Sequence, residues 1–200
     1  MQQTGSPTKT GRVGEVIAAD STSFTVQCYE LYGAPALGSF VRAGAPAIYG
    51  VVSDVRTEPL DPSRPVLARG QDHEAEEEVL LENPQLSRLL TSRFDSVIIG
   101  CAGADGFVPW LPPLPPRVHA FVYACGADET AMFCADPRFL GRLARPECPA
   151  SDDVIRSCLQ GMVSSQTDGP GVALRAGRAL AAELAGDFPR INAILAGIGK

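Results

Sequence analysis

The chain of 200 residues carries a net charge of −6, and 45% of its residues are hydrophobic and 20% charged. This composition is typical of one or two globular domains with a buried core. The acidic balance argues against broad binding to nucleic-acid phosphates, and no apolar run approaches the roughly 18 residues of a membrane span. Since the first residues also lack an apolar signal region, we expect a cytoplasmic protein that binds no membrane.

The first half of the chain alternates short apolar segments with turns, a pattern typical of β-strands. Residues 1–10 are polar, and we expect them to be disordered. The clearest strand has Phe24, Val26 and Cys28 on one face and polar residues between them. The first four strands are predicted at residues 12–19, 23–28, 37–42 and 47–55.

The strand pattern then breaks for a proline-rich loop and two short helices within residues 56–90, and it resumes at residues 94–101 and 107–110. Short strands with closely spaced turns favour a small barrel. We therefore predict an N-terminal β-barrel of about six strands over residues 11–108, interrupted by a helical insertion at residues 72–90.

A run of prolines, in the sequence WLPPLPPR, follows the strand-rich half. Prolines hold a chain extended at little entropic cost, so residues 109–117 are predicted to form a stiff linker. A ligand for an SH3-like domain is the alternative function of this segment.

The second half is richer in alanine and in helical apolar spacing. Residues 118–125 favour either a buried strand or the start of a helix. Helices are predicted at residues 137–144, 152–165, 171–186 and 187–196. The predicted fold class is therefore α+β, with a helical domain at residues 118–200.

Motifs of common enzymes and cofactor sites are missing from the sequence. It contains no phosphate-binding loop, no dinucleotide-binding glycine motif, no nucleophile elbow and no H-E-x-x-H motif. The six cysteines form no C-x-x-C pair, so we expect most of them to be buried hydrophobic side chains. We accordingly predict no catalytic residue, no metal ligand and no cofactor.

Three short segments of the first half carry a family resemblance. They are Gly11-Arg12-Val13 with Val16-Ile17, then Gly38-Ser39-Phe40-Val41, and finally Tyr49-Gly50-Val51-Val52. Together they resemble the HAS barrel, the small β-barrel at the N-terminus of HerA-type DNA-translocating ATPases and of the ATP synthase α and β subunits. The rest of the chain resembles small stand-alone bacterial proteins that carry this barrel without an ATPase domain. The resemblance implies a role in assembly and partner docking, without ATP hydrolysis.

The leading hypothesis is a non-catalytic adaptor whose barrel docks on a second copy or on a HerA-like ATPase. A link to DNA repair or processing is implied by that resemblance alone. The loop at residues 29–36 contains aromatic side chains without an evident core role, which is typical of interfaces. The expected interaction residues are Tyr29, Leu31, Tyr32, Phe40 and Tyr49.

Two other functions remain open. An enzyme could have its site between the barrel and the helices, with Cys125, Cys134 and His119 as its reactive groups, although the apolar run around His119 favours a buried imidazole. A small barrel could also bind nucleic acid. The acidic balance and the single tryptophan, Trp110, make direct nucleic-acid binding unexpected.

Overall fold

The computed structural model describes residues 11–104, 106–145, 148, 151–196 and 198. The fold is mixed α/β: strands paired in a ring are followed by a group of helices. The tail at residues 1–10, predicted to be disordered, lies outside the described residues.

The strands cover most of the first half of the chain, and the longer helices follow in the second half. The strands are β1 (Arg12–Ala19), β2 (Ser23–Cys28), β3 (Phe40–Ala43), β4 (Ile48–Pro59), β5 (Leu90–Gly103), β6 (Gly106–Val108) and β7 (Phe121–Ala124). The helices are α1 (Glu76–Glu82), α2 (Leu86–Leu89), α3 (Ala127–Ala135), α4 (Leu140–Leu143, preceded by a 3₁₀ turn at Pro137–Phe139), α5 (Ser151–Ser165), α6 (Gly169–Glu183) and α7 (Phe188–Leu195).

Six strands pair in a closed antiparallel ring. Their order is β2-β1-β7-β3-β4-β5, and β5 pairs back onto β2, with Val26 opposite Phe94. The short strand β6 pairs with β5 outside this ring. The closing strand β7 comes from residues that the sequence had assigned to the helical half, so the ring and the helical half are not separated at residues 109–117.

The ring encloses a first hydrophobic core. Strand β2 has the predicted alternation, with Phe24, Val26 and Cys28 buried and the residues between them partly exposed. Val16, Val52 and Ile98 point into the same interior. The period-two pattern in the sequence therefore identified the inward face correctly.

A second core lies between the outside of the ring and the helices. Strand β4 contributes to both cores: Ile48 and Val52 face the ring interior, whereas Tyr49 and Val51 pack under the helices. Burial on both faces explains why this strand is apolar at successive positions.

The last helices of the chain have the cap and most of the buried apolar residues that the sequence predicts. The Asp187 carboxylate accepts a hydrogen bond from the backbone N–H of Arg190 at 3.2 Å and so caps α7. Leu180 and Ile194 are buried in the second core and Ile191 is also buried, but Phe188 is 67% exposed. Helix α3 was not predicted, although its Phe133 lies at the centre of this core.

The proline-rich segment and the residues that follow it run over the surface between β6 and β7. We call residues 109–120 the strap. Its first carbonyl, of Pro109, accepts a hydrogen bond from Arg142 at 2.8 Å, and near its end the His119 backbone N–H donates to Val16 at 2.8 Å. Because both ends are tied to the folded protein, the strap is a fixed surface feature and not a spacer between two bodies.

None of the helices in the described ranges combines the length and apolarity needed to cross a lipid bilayer.

Candidate interaction surface

The far ends of β4 and β5 form a two-stranded extension that carries residues 60–89. The pairing reaches Pro59 opposite Leu90, and it continues through a hydrogen bond from the Leu60 backbone N–H to Leu89 at 2.8 Å. The insertion predicted to be helical at residues 72–90 contains two short helices, Glu76–Glu82 and Leu86–Leu89. The insertion is thus an appendage on a paired stem.

A groove of about 800 Å³ opens between the insertion and the loop after β2. Charged side chains occur at its margin, among them Asp61 and Glu77, but most of its wall is apolar. Six large apolar side chains that line it are between 37% and 67% exposed: Tyr32, Leu60, Val66, Leu67, Leu80 and Leu89. We call this the insertion groove.

The loop after β2 is fixed against the stem by serine and threonine hydroxyls. The backbone N–H of Tyr32 donates to the Ser92 hydroxyl at 2.7 Å, and that hydroxyl lies 3.0 Å from the Thr57 hydroxyl. Ser92 is buried. These contacts place the Tyr32 ring at the groove without burying it.

The insertion that carries the groove is acidic as a segment. Residues 60–90 contain seven Asp and Glu residues against three arginines. One arginine, Arg64, already pairs with Asp61 at 3.3 Å. The lining of the groove itself is balanced, with two carboxylates, Asp61 and Glu77, and two guanidinium groups, Arg64 and Arg69.

The structure divides the five predicted interaction residues into two groups. Tyr32 lines the insertion groove and is 64% exposed, while the neighbouring Tyr29 is half exposed and Leu31 partly buried. Phe40 and Tyr49 are buried, because α3 covers the outer face of β3 and β4. These last two side chains serve the second core and are not a free surface.

Sequence reasoning missed the groove residues Leu60, Val66 and Leu67. The sequence did indicate these residues, because they are large apolar side chains in a loop that is too rich in proline to form a regular amphipathic helix or strand. An apolar residue in such a loop has no core face to occupy, so an exposed position is the natural outcome.

A second exposed cluster lies on the outer face of β1, β7 and β3. The Arg12 guanidinium lies 3.8 Å from the centre of the Phe121 ring, and Arg42 lies 4.7 Å from that of Tyr123. We call these four side chains the arginine–aromatic cluster. The Arg42 guanidinium also contacts Glu129 at 3.0 Å, so the cluster is partly neutralised by its own carboxylate.

His119 is beside this cluster and contradicts the prediction of a buried imidazole. Its side chain is 80% exposed, its φ angle is +69°, and its Nδ1 lies 3.0 Å from the Glu15 carboxylate. The Tyr29 hydroxyl donates to the other oxygen of Glu15 at 2.7 Å. These two contacts, that of Tyr29 first, hold the pKa of Glu15 below its usual value.

A smaller cleft of about 480 Å³ lies between residues 35–40 and α5, where the enzyme hypothesis placed its site. Cys125 lines this cleft, but burial and then the Glu129 charge raise the pKa of its thiol. The Cys134 sulfur lies in the core, 3.8 Å from the Met162 carbonyl oxygen. The three candidate reactive groups thus have different surroundings, and the thiolate that a nucleophilic cysteine needs is disfavoured.

The described residues contain no group of three or more His, Cys, Asp or Glu side chains that could hold a metal ion. When the chain was compared with known proteins, neither a family model nor a curated protein sequence matched it.

Proposed function

We propose that this protein is a non-catalytic adaptor that docks through its ring half on a second copy of itself or on a HerA-like ATPase. In this role the ring is a HAS-type barrel, and the protein acts in the cytoplasm, in DNA repair or processing. The observation that carries the proposal is the insertion groove, a wide apolar surface on a protein of ordinary composition. Monomeric soluble proteins rarely leave a large contiguous apolar surface uncovered unless it binds something.

The segments that resemble the HAS barrel occupy structurally demanding positions, which supports the family assignment. Gly38 has a φ angle of +78°, a conformation that favours glycine, just before β3 begins. Gly50 lies in β4, where an added Cβ would come within 2.2 Å of the Ser96 hydroxyl. Glycine is therefore required at both positions for reasons of backbone geometry and packing.

The test is binding to a purified HerA-type ATPase encoded in the same genome, measured by light scattering and by biolayer interferometry. We expect a stable complex, and we expect Leu67→Ser in the insertion groove to weaken it by at least about tenfold. Leu174→Ser is the matched control, because Leu174 is 57% exposed on α6 and lies outside the groove. A protein that binds neither the ATPase nor itself would refute the adaptor function.

Nucleic-acid binding is a second candidate, favoured by the arginine–aromatic cluster. Single-stranded nucleic acids bind where bases stack on aromatic rings beside cationic side chains. Fluorescence anisotropy with a labelled single-stranded oligonucleotide tests this function, and Phe121→Ala should abolish any signal. Salt-independent binding, or binding that Phe121→Ala leaves unchanged, would exclude the cluster as its site.

A further inference from the structure

The insertion has no buried core of its own. Among residues 60–90, no side chain that the structure describes is buried, and the helices α1 and α2 have only seven and four residues. Helices this short depend on tertiary packing for their stability. Large apolar side chains of the insertion, among them Leu67 at 67% and Leu81 at 79% exposure, are therefore left for a partner to cover.

Helix α1 places an apolar projection beside the insertion groove. Val79 and Leu80 line the groove, whereas Leu81 lies outside its lining. Leu81 follows Glu77 by four residues, so the two share one face of the helix, and Glu77 also lines the groove. A hollow and a projection thus lie side by side on one segment. This arrangement lets a surface bind a copy of itself about a two-fold axis.

The charges of the groove lining favour a second copy as the partner. In a two-fold interface the same patch meets itself, so a patch of one sign would repel its copy. The lining is balanced, and the other carboxylates of the insertion lie outside it. Arg64 already pairs with Asp61 at 3.3 Å. Arg69 and Glu77 form no ion pair with any residue that the structure describes, and Arg69 has only a long hydrogen bond of 3.5 Å to the Asn83 side chain.

We propose that two copies of the chain bind each other through their insertion grooves about a two-fold axis, with Leu81 of each copy in the groove of the other. Arg69 of each copy then pairs with Glu77 of the other, so the same ion pair forms twice. The inference rests on the adaptor function and names its partner as a second copy of this chain. Both grooves are covered in a single contact, so assembly stops at a dimer.

The first experiment measures the mass of the whole protein by sedimentation velocity over a concentration series. We expect the wild-type mass to rise from that of a monomer to that of a dimer and no further. Leu81→Ser removes the projection and should weaken dimerisation by at least about tenfold. Leu174→Ser is the matched control, because Leu174 is 57% exposed on α6, outside the insertion, and this variant should dimerise as the wild type does.

An exchange of the two charges identifies the contact. Glu77→Arg would bring arginines together at the interface, and Arg69→Glu would bring glutamates together, so each variant alone should dimerise at least about tenfold more weakly than the wild type. An equimolar mixture of the two variants restores both pairs of opposite charge, and we expect it to form a heterodimer with the wild-type affinity. Both residues are exposed, so each variant should keep the wild-type circular dichroism spectrum.

Four outcomes would overturn the two-fold contact. They are a wild-type protein that stays monomeric, an assembly that grows beyond a dimer, a dimer that both charge variants leave unchanged, and a mixture that stays monomeric while the wild type dimerises. Failure of the adaptor function is distinguishable from these. If the wild type is monomeric but binds the HerA-type ATPase through Leu67, the adaptor function stands and this inference alone fails.

Discussion

The ring of Phe40 in β3 lies 4.6 Å, between ring centres, from the ring of Phe133 in α3, with the ring planes inclined by 37°. Tyr49 of β4 and Phe107 lie 5.2 Å and 4.9 Å from the same Phe133 ring. The fully buried Phe133 thus packs the helices against the outer face of the ring of β-strands, and so does Phe139, whose ring centre lies 5.8 Å from that of Phe40.

Replacing Phe133 by alanine should lower the free energy of unfolding by about 3–5 kcal/mol, because it removes this contact and leaves a cavity. Urea unfolding followed by circular dichroism measures the change. The control is Phe188→Ala on α7, where the ring is 67% exposed and the expected change is within about 0.5 kcal/mol. A similar small change for Phe133→Ala would contradict the packing described here.

Gly38 should tolerate no side chain. An added Cβ would lie 2.6 Å from the Cys158 backbone nitrogen in α5, and the φ angle of +78° adds strain of about 1–2 kcal/mol. We expect Gly38→Ala to destabilise the protein by about 3 kcal/mol or more, measured by thermal unfolding.

Gly11→Ala is the matched control for this substitution. Gly11 has a φ angle of +85°, but no atom of the residues that the structure describes lies within 4 Å of an added Cβ, so we expect the backbone strain alone. Equal losses in melting temperature for the two variants would mean that α5 does not pack on Gly38.

Glu15 should titrate below the ordinary glutamate pKa, because its carboxylate accepts hydrogen bonds from Tyr29 and interacts with His119. Folding then favours the ionised form. The resulting stabilisation is present above the unfolded pKa of about 4.3 and is lost as the pH falls through the folded pKa.

An NMR titration of the Glu15 carboxyl carbon tests this expectation. Tyr29→Phe and His119→Ala should each raise the Glu15 pKa, since both contacts hold it below its usual value. A pKa that stays unchanged in Tyr29→Phe would show that this hydrogen bond is absent in solution.

Cys125 should react slowly with iodoacetamide at pH 8 in the folded protein and rapidly after unfolding in urea. Burial is the main cause of its raised pKa, and the Glu129 charge is the second. Glu129→Gln should therefore quicken alkylation only modestly, as followed by mass spectrometry of the labelled peptide. Rapid labelling of the native protein would instead support the hypothesis that Cys125 is a reactive nucleophile.

Strands that bury one face could be predicted from the alternation of apolar and polar residues, and β1 and β2 have the predicted bounds. Strand β7 was predicted only as one of two alternatives, a buried strand or the start of a helix, and helix α3 was not predicted. In β7 only Val122 is buried, so a periodic signal is missing. Helix α3 has nine residues and a glycine N-cap without a side chain, and tertiary packing of Phe133 supplies the stability that its local sequence lacks.

The insertion groove could be predicted only in part. Tyr32 was identified as an aromatic residue in a loop, but the opposite wall is formed by a stem that brings Leu60 and Leu89 together over a separation of 29 residues. Such pairing depends on the strand register of β4 and β5 and leaves no local pattern in the sequence.

The position of β7 in the chain has a consequence for dissecting the protein. A fragment that ends at residue 117 lacks the strand between β1 and β3. Both of these strands would then present unsatisfied backbone amides and carbonyls along open edges, which recruit strands from other molecules. The two halves on either side of the proline run are therefore not separable pieces, and a cut at the prolines should yield aggregate where a cut before β1 would not.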